Sequence, residues 1–359
     1  MIETHVVNAI LNKPLKDEAF FKALTFINGL VAPTFLFCAG FAFAIMLQRK
    51  WSNFISLQYP LWRYLVRMLF IFVVAYSLHL PFFSLKHLRE VTDPNAWLPF
   101  YQSDILQVIV LTLTALVVLA IIFRNQKMFF WTSSLIALVI IFISPIVREM
   151  DHTNLPVWLR PYLTTQFRSQ FPLFPWSAFL MSGTVLGYLF LQAKTEGKES
   201  TFIRNLGVGS LAAIVFSLII EYQPLTFYPN HDFWRASPEF FFVRLGLVCL
   251  FAVAFWMYEQ RREVSTTSVM SLFGQESLLV YTVHLLVVYG YTYEWSFIRL
   301  FGPTLNYFQC FGLFALLTAS MYGMAFGWHW MKGWNKRAAD VVQFLVLATI
   351  VLVFLVKPS

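Results

Sequence analysis

Long apolar segments separated by short polar ones run along almost the whole chain. The hydrocarbon core of a bilayer is about 30 Å thick, and an α-helix needs about 20 apolar residues to cross it. Backbone N–H and C=O groups must be paired inside lipid, and no segment alternates as a β-barrel strand would, so the segments are predicted to be helices. Ten stretches are long enough, at approximately 23–47, 62–83, 104–123, 128–146, 174–193, 205–221, 239–258, 274–293, 308–329 and 339–356.

Residues 1–12 form a further apolar stretch that is too short to cross. The pattern therefore predicts an all-α fold, a polytopic integral membrane helical bundle with about ten full transmembrane helices and a partial one at the N-terminus. No Gly/Ser linker, fixed-period repeat or low-complexity tract interrupts it. Residues 1–359 are accordingly predicted to form a single transmembrane domain.

The composition excludes a water-soluble fold. Of 359 residues, 58% are hydrophobic and 12% are charged, whereas soluble domains are about a quarter charged. Cys38, Cys249 and Cys310 all lie in apolar runs, so they are predicted to be core thiols without a disulfide framework or metal spacing. The net charge of +8 follows from membrane topology and does not indicate nucleic-acid binding.

Basic residues determine the predicted orientation. With loops assigned alternately from residues 13–22 outside, 14 of the 26 basic residues fall on the inner side. They crowd short turns such as Arg124 to Lys127, and short basic loops favour the cytoplasm. The longer loops at 84–103, 147–173 and 222–238 are therefore predicted to lie outside, where a hydrophilic substrate would meet the protein.

A polar stripe occurs in the N-terminal apolar stretch. His5, Asn8 and Asn12 lie at i, i+3 and i+7, which places them on one helix face. Polar groups in lipid are costly and face a bundle interior or a water-filled cavity. A neutral His accepts a proton near pH 7, so His5 with Asn8 is a candidate general base and orienting amide. A structural hydrogen bond between helices is an equally supported alternative.

A second histidine lies in the apolar stretch 274–293. Ser277, Tyr281 and His284 share a helix face at i, i+4 and i+7. His284 falls near mid-membrane, which is costly unless the imidazole has a partner. It is a candidate cavity residue, and a buried packing histidine bonded to another helix is the alternative.

Asp104 begins another span and is followed by Gln107 one turn later. An acid at this position stabilises a helix N-terminus, so a helix cap is the favoured interpretation of Asp104. The functional alternative is that Asp104 lines a polar cavity. Gln107 lies deeper and is harder to explain as a surface residue.

Arg63 and Arg67 enter a span from the inner side at i and i+4. Snorkelling and topology determination explain them without a site. The functional alternative is a cluster for a cytoplasmic polyphosphate, because Arg pairs with phosphate oxygens in a bidentate way.

Gly183 and Gly187 form a small-xxx-small pair, which predicts close helix packing and no catalysis. The sequence contains no phosphate-binding glycine loop, zinc motif, nucleophile elbow or nucleic-acid module.

Several segments, taken in order, resemble the membrane acyltransferases related to heparan-α-glucosaminide N-acetyltransferase. Each motif alone is loose, but the ordered set covers most of the chain. The segments are Phe26 to Gly40 (FINGLVAPTFLFCAG), Asp104 to Gln107 (DILQ), Phe171 to Trp176 (FPLFPW) with Gly183 and Gly187, and Ser277 to Tyr281 (SLLVY) with His284.

Bacterial relatives in that family begin with an acidic residue, then Arg-Gly, then an apolar run that reaches a polar pair ending in His. Met1 to His5 resembles the end of that run, and the acidic and Arg-Gly part does not precede it. We expect the chain to begin inside the first family helix, through a shortened gene model or a late start codon. The loop Lys13 to Lys22 contains no His. This weighs against a mechanism in which a histidine of that loop carries the acyl group as a covalent intermediate.

The resemblance implies an acyl-CoA-dependent acyltransferase of glycan modification in a bacterial inner membrane. It would take an acetyl or acyl group from cytoplasmic acetyl-CoA, without a metal, and pass it to an amine or hydroxyl of a sugar or glycan on the outer side. By the same resemblance, His5 would be the general base and Asn8 would orient it. His284 and Asp104 would line the cavity.

The remaining implied roles concern binding. Arg63 and Arg67 would contact the phosphates of acetyl-CoA at the basic face. The partners would be membrane lipid, acetyl-CoA and the sugar acceptor, with no nucleic acid; a homo-oligomer is left open.

Two other functions remain open. A multi-span transporter or flippase-like carrier would use the same polar residues to line a pathway, and would be expected to show repeats with broken helices; no internal symmetry is evident in the sequence. A degenerate family member without catalysis is the other, because we expect the chain to begin inside the first family helix.

Overall fold

The computed structural model of the protein describes residues 1–165, 169–223, 228, 232–234, 236–261, 268–290 and 295–357. All regular elements in these residues are helical, which confirms the predicted all-α class. The α-helices are α1 (Ile2–Ile10), α2 (Ala19–Asn28), α3 (Val31–Ile55), α4 (Tyr59–Ser77), α5 (Leu85–Glu90), α6 (Leu98–Tyr101), α7 (Ile105–Phe123), α8 (Gln126–Glu149), α9 (Leu173–Thr195), α10 (Glu199–Glu221), α11 (Pro238–Glu259), α12 (Val269–Gln275), α13 (Ser277–Tyr289), α14 (Phe297–Leu300), α15 (Tyr307–Trp334) and α16 (Lys336–Val356). Short 3-10 helices lie at Lys13–Asp17, Pro94–Trp97 and Arg160–Tyr162.

Nine helical stretches among the described residues are long and apolar enough to cross a membrane. Many of their apolar side chains are exposed, including Val66, Phe216 and Phe344. Lipid, which is itself apolar, is the solvent that suits such faces. The chain is therefore a polytopic helical membrane protein, as predicted. The nine stretches are Ala19–Ile55, Tyr59–Ser77, Ile105–Phe123, Gln126–Glu149, Leu173–Thr195, Glu199–Glu221, Pro238–Glu259, Tyr307–Trp334 and Lys336–Val356.

A broken helix replaces the straight span predicted at 274–293. Helices α12 and α13 meet at Glu276 with a bend of 84°, and together they could count as a tenth span. Helix α13 alone has 13 residues, about 20 Å at 1.5 Å per residue, which is too short to cross. The prediction of an unbroken helix is wrong because hydropathy averaged over a long window does not register a break at one residue.

Contacts divide the chain into two compact units, and each is described by itself. Unit 1 comprises Met1–Asn28, Leu80–Trp97 and Arg262–Ser359. In it, α1 packs against α13, α14 and α15 around a buried apolar cluster. Helix α1 has nine residues, about 13 Å, and so matches the short N-terminal helix predicted. The buried cluster contains Val6, Val7, Ala9, Ile10, Leu11, Leu272, Val280, Val288, Cys310, Leu317, Met321 and Ala325.

The end of α1 is fixed by backbone pairing. The backbone N–H of Asn12 donates to the carbonyl oxygen of Leu305 at 2.9 Å, and that of Leu305 donates to the carbonyl oxygen of Ile10 at 3.0 Å. Because Ile10 and Leu11 are also buried, the short helix is held at its end as well as along its face.

Unit 2 comprises Gly29–His79 and Leu98–Arg261, and α3 packs along α9 at its centre. A Cβ atom added at Gly183 would lie 2.1 Å from the carbonyl oxygen of Phe37, and one at Gly40 would lie 1.9 Å from that of Leu180. Real Cβ atoms cannot approach so closely, so glycine is required at both positions. The packing role predicted for Gly183 is confirmed.

The three cysteines are free thiols. Cys249 and Cys310 are buried, as predicted, but Cys38 is exposed. The prediction of a core thiol is wrong for Cys38, because an apolar run in a membrane helix does not distinguish the side facing lipid from the side facing the bundle.

Candidate functional site: two histidines in unit 1

His284 lies on α13 and is fully buried. Its Nδ1 lies 2.7 Å from the carbonyl oxygen of Val280, one turn earlier. A carbonyl oxygen only accepts, so Nδ1 carries the proton and Nε2 of the neutral ring keeps a lone pair. Nε2 is buried and makes no hydrogen bond within the described residues. His284 is therefore an oriented imidazole with an unused proton acceptor.

His5 lies beside His284. The two ring centroids are 5.3 Å apart at an interplanar angle of 50°, although the residues are far apart in the sequence. Helix α1 supplies His5 and α13 supplies His284, and the close packing of these two helices brings the rings together. His5 is half-buried, so it is the more accessible of the two. The two histidines singled out in the sequence thus belong to one cluster, which we call the histidine pair.

Two tyrosines of α13 border the histidine pair. The hydroxyl of Tyr289 lies 3.3 Å from Nδ1 of His5, and its ring meets the His5 ring edge-on at 5.5 Å. The ring of Tyr281 meets that of His284 edge-on at 5.8 Å. Sequence reasoning placed Tyr281 on the His284 face but missed Tyr289. The apolar run around Tyr289 offered no signal, since its role depends on a helix 284 residues away.

Asn8, the amide predicted to orient His5, is exposed on α1. Its backbone carbonyl oxygen accepts a hydrogen bond of 2.8 Å from Nζ of Lys16. The orienting role of the Asn8 side chain stays a prediction, and Tyr289 is one partner that the structure places at the His5 ring.

A buried carboxylate lies at the bend between α12 and α13. Oε1 of Glu276 lies 2.5 Å from Nζ of Lys332 and 3.3 Å from Nδ1 of His329, both on α15. Glu276 is 5% exposed and does not cap α13 with its side chain. Helix α15 also packs against α1. The ion pair therefore ties the start of α13 to the helix that supports His5.

Asp104 belongs to unit 2 and is a helix cap, the favoured interpretation. Its Oδ1 accepts from the backbone N–H of Ile105 at 2.7 Å, and Gln107 Oε1 accepts from the backbone N–H of Asp104 at 3.2 Å. The Asp104 side chain also accepts from the backbone N–H of Gln107, so that Asp104 and Gln107 form a capping box at the start of α7. The buried Gln107 is explained by the same motif.

Asp104 also has a neighbour that sequence reasoning missed. Nε2 of His79 lies 3.3 Å from Asp104 Oδ2, and both side chains are 15% exposed. The positions of the two residues in the sequence could have indicated this contact. His79 follows the end of α4 and Asp104 precedes α7, and both of these helix ends are predicted to lie on the outer side. A cavity-lining role for Asp104 stays a prediction.

Arg63 and Arg67 lie on an exposed face of α4. The guanidinium carbon of Arg63 lies 5.8 Å from the centre of the Tyr59 ring. The neighbouring Trp62 and Val66 are exposed apolar residues, as on a lipid-facing helix whose arginines reach the interface. Binding of acetyl-CoA by these arginines stays a prediction.

Comparison with protein families gives one match. The family described as heparan-alpha-glucosaminide N-acetyltransferase, catalytic, matches residues 1–220. His5, Arg63, Arg67 and Asp104 fall within the matched residues, and His284 falls beyond them. No curated protein and no solved structure matches the chain.

Proposed function

The chain belongs to the family of the heparan-alpha-glucosaminide N-acetyltransferase catalytic domain, and on this premise we propose that it transfers an acetyl group from acetyl-CoA to an amine or hydroxyl of a sugar. The donor would enter from the cytoplasmic side and the acceptor from the outer side. A bacterial inner membrane, with its cytoplasmic acetyl-CoA, suits this arrangement.

The histidine pair is the observation that supports the proposal. Acyl transfer requires a base that takes the proton of the acceptor. In the proposed step, the acceptor nitrogen or oxygen attacks the thioester carbonyl and its proton goes to an imidazole. The new C–N or C–O bond forms, the C–S bond breaks, and CoA leaves as a thiolate that then takes a proton. His5 meets the acceptor, and Nε2 of His284 is the second proton acceptor beside it.

The donor is bound through its phosphates in this proposal. Arg63 and Arg67 lie near the start of α4, four residues apart on one exposed face, and guanidinium groups pair well with phosphate oxygens. Arg63→Gln would then raise KM for acetyl-CoA with little change in kcat, because such contacts are equal in the ground and transition states.

A direct test uses purified protein in nanodiscs with radiolabelled acetyl-CoA and a panel of amino sugars and neutral sugars. We expect a labelled product with at least one acceptor. His5→Asn and His284→Asn should each lower kcat by about 10²- to 10⁴-fold, the usual contribution of a general base. If the histidines act as a pair, the double variant should lose little more than either single variant.

Two results would count against the proposal. One is the absence of transfer to any acceptor of the panel. The other is transfer that both histidine variants retain at the wild-type rate while remaining folded.

The bent pair α12 and α13 supports a carrier as the second candidate. Broken helices in transporters often form substrate sites near the membrane centre, and α13 carries the buried His284. Reconstituted vesicles separate the two functions, because a carrier would take up labelled sugar without consuming acetyl-CoA.

A further inference from the structure

Arg244 is a cation placed inside unit 2 on a membrane-spanning helix. It is the seventh residue of α11, about 9 Å from the start of that helix. It is half-buried, and the preceding residues Phe240, Phe241 and Val243 are buried. An ionisable residue at such a position is costly, and faces a bundle interior or a cavity where it serves a function.

Two aromatic rings hold the guanidinium. Its central carbon lies 3.9 Å from the centre of the Phe240 ring and 5.7 Å from that of Trp176 on α9. Trp176 in turn meets the rings of Phe171 at 4.7 Å and Phe179 at 5.9 Å. The guanidinium therefore lies against packed aromatic rings from α9, from α11 and from Phe171 just before α9.

No carboxylate pairs with Arg244 in the part of the chain that the structure describes. Glu239 lies on the same helix, but five residues of α-helix turn it about 140° around the axis from Arg244. The ring contacts use the face of the guanidinium. Its five N–H donors point outward in the guanidinium plane, and they form a fork that matches carboxylate and phosphate oxygens.

Charge balance favours an anion at this point. A cation in a low-dielectric interior is normally compensated by a counter-ion or a hydrogen-bonded partner. Cation–π contacts stabilise a guanidinium, but they offset only part of the hydration free energy that it loses on burial. An oxyanion bound by the N–H donors would supply both the compensating charge and the hydrogen-bond acceptors.

We propose that Arg244, positioned by Phe240 and Trp176, is a binding site for an oxyanion, either the phosphate or the carboxylate of a ligand that enters unit 2. The site goes beyond the proposed acetyl transfer, since it contains neither the histidine pair nor Arg63 and Arg67. Bidentate pairing makes it selective for planar or tetrahedral oxyanions over neutral sugars.

Equilibrium binding tests the site without acetyl-CoA. Protein in phosphatidylcholine nanodiscs is titrated calorimetrically with glucose 6-phosphate, glucuronate and glucose, and thermal unfolding is followed in parallel. Nanodiscs containing phosphatidylglycerol test the lipid source of the same phosphate chemistry. We expect one of the anions, soluble or lipid, to bind or stabilise the wild type, while glucose does not.

Three variants locate the effect. Arg244→Gln should weaken anion binding at least tenfold, and Arg244→Lys should weaken it less, because it keeps the charge but loses the fork. Arg204→Gln, which removes an exposed arginine of α10 in the same unit, should bind as the wild type does. The proposal is overturned if no anion affects the wild type, or if folded Arg244→Gln binds as tightly. Failure of Arg244→Gln to fold leaves the wild-type and Arg244→Lys titrations to decide.

Discussion

At the scale of single residues, the histidine pair owes its chemistry to its immediate neighbours. The Val280 carbonyl oxygen fixes the proton of His284 on Nδ1 and leaves Nε2 as the acceptor. The Tyr289 hydroxyl lies at Nδ1 of His5 and donates to the His5 carbonyl oxygen at 3.4 Å. An oxygen atom thus lies at Nδ1 of each imidazole, and at His5 this oxygen belongs to a side chain that can be changed.

Tyr289→Phe removes this oxygen and keeps the ring. We expect kcat for acetyl transfer to fall roughly twofold to tenfold, since an ordinary hydrogen bond contributes about 0.5–1.5 kcal/mol. Steady-state kinetics in nanodiscs measures the change. Tyr322→Phe is the matched control, because Tyr322 lies in the same unit and its ring packs against Phe273 and Phe326. Equal losses in both variants would contradict a specific role for Tyr289.

Substitutions at Asp104 can separate its role as a helix cap from the role of its negative charge. Asn caps a helix about as well as Asp, whereas Ala costs about 1 kcal/mol. Asp104→Asn should therefore unfold near the wild-type temperature, and Asp104→Ala should unfold at a lower one, as measured by thermal denaturation in detergent. If Asp104→Asn nevertheless loses acetyl transfer, the carboxylate beside His79 acts in the reaction. Equal unfolding temperatures for the Ala and Asn variants would contradict the cap.

At the scale of helices, the apolar pattern predicted most spans because length and hydropathy alone decide whether a helix can cross a bilayer. It missed the break at Glu276, since the partners that hold this carboxylate, His329 and Lys332, lie on another helix. The same limit applies to the candidate site. His5 and His284 could be selected one by one, but their contact and the roles of Tyr289 and His79 depend on packing between helices.

The contact between α3 and α9 is an element-scale prediction. Gly183→Ala places a Cβ against the Phe37 backbone, which cannot move aside as a side chain could, so we expect about 1–3 kcal/mol of destabilisation. Gly209→Ala is the matched control: a Cβ there meets nothing within 4 Å, and the change should stabilise α10 by roughly 0.5–1 kcal/mol. Unfolding by titration with a denaturing detergent compares them. A neutral Gly183→Ala would show that the helices are farther apart.

At the scale of the whole molecule, the orientation of the helices across the membrane connects the loop charges with the proposed reaction. If the donor comes from the cytoplasm, the start of α8, near Arg124 and Lys127, must face the cytoplasm. Helix α8 has 24 residues, about 36 Å, so its two ends lie on opposite sides of a bilayer. Lys127 and Asn154, both exposed, therefore report the two sides.

Single cysteines at these positions, in a background without Cys38, Cys249 and Cys310, decide the orientation. In intact spheroplasts we expect a membrane-impermeant maleimide to label Asn154→Cys and to label Lys127→Cys only after lysis, because short basic loops stay in the cytoplasm. Labelling in permeabilised cells controls for reactivity. The reverse pattern would place Arg63 and Arg67 outside as well, since α4 begins on the side predicted for Lys127. Cytoplasmic acetyl-CoA could then not reach them, and the donor site would have to lie at the other ends of these helices.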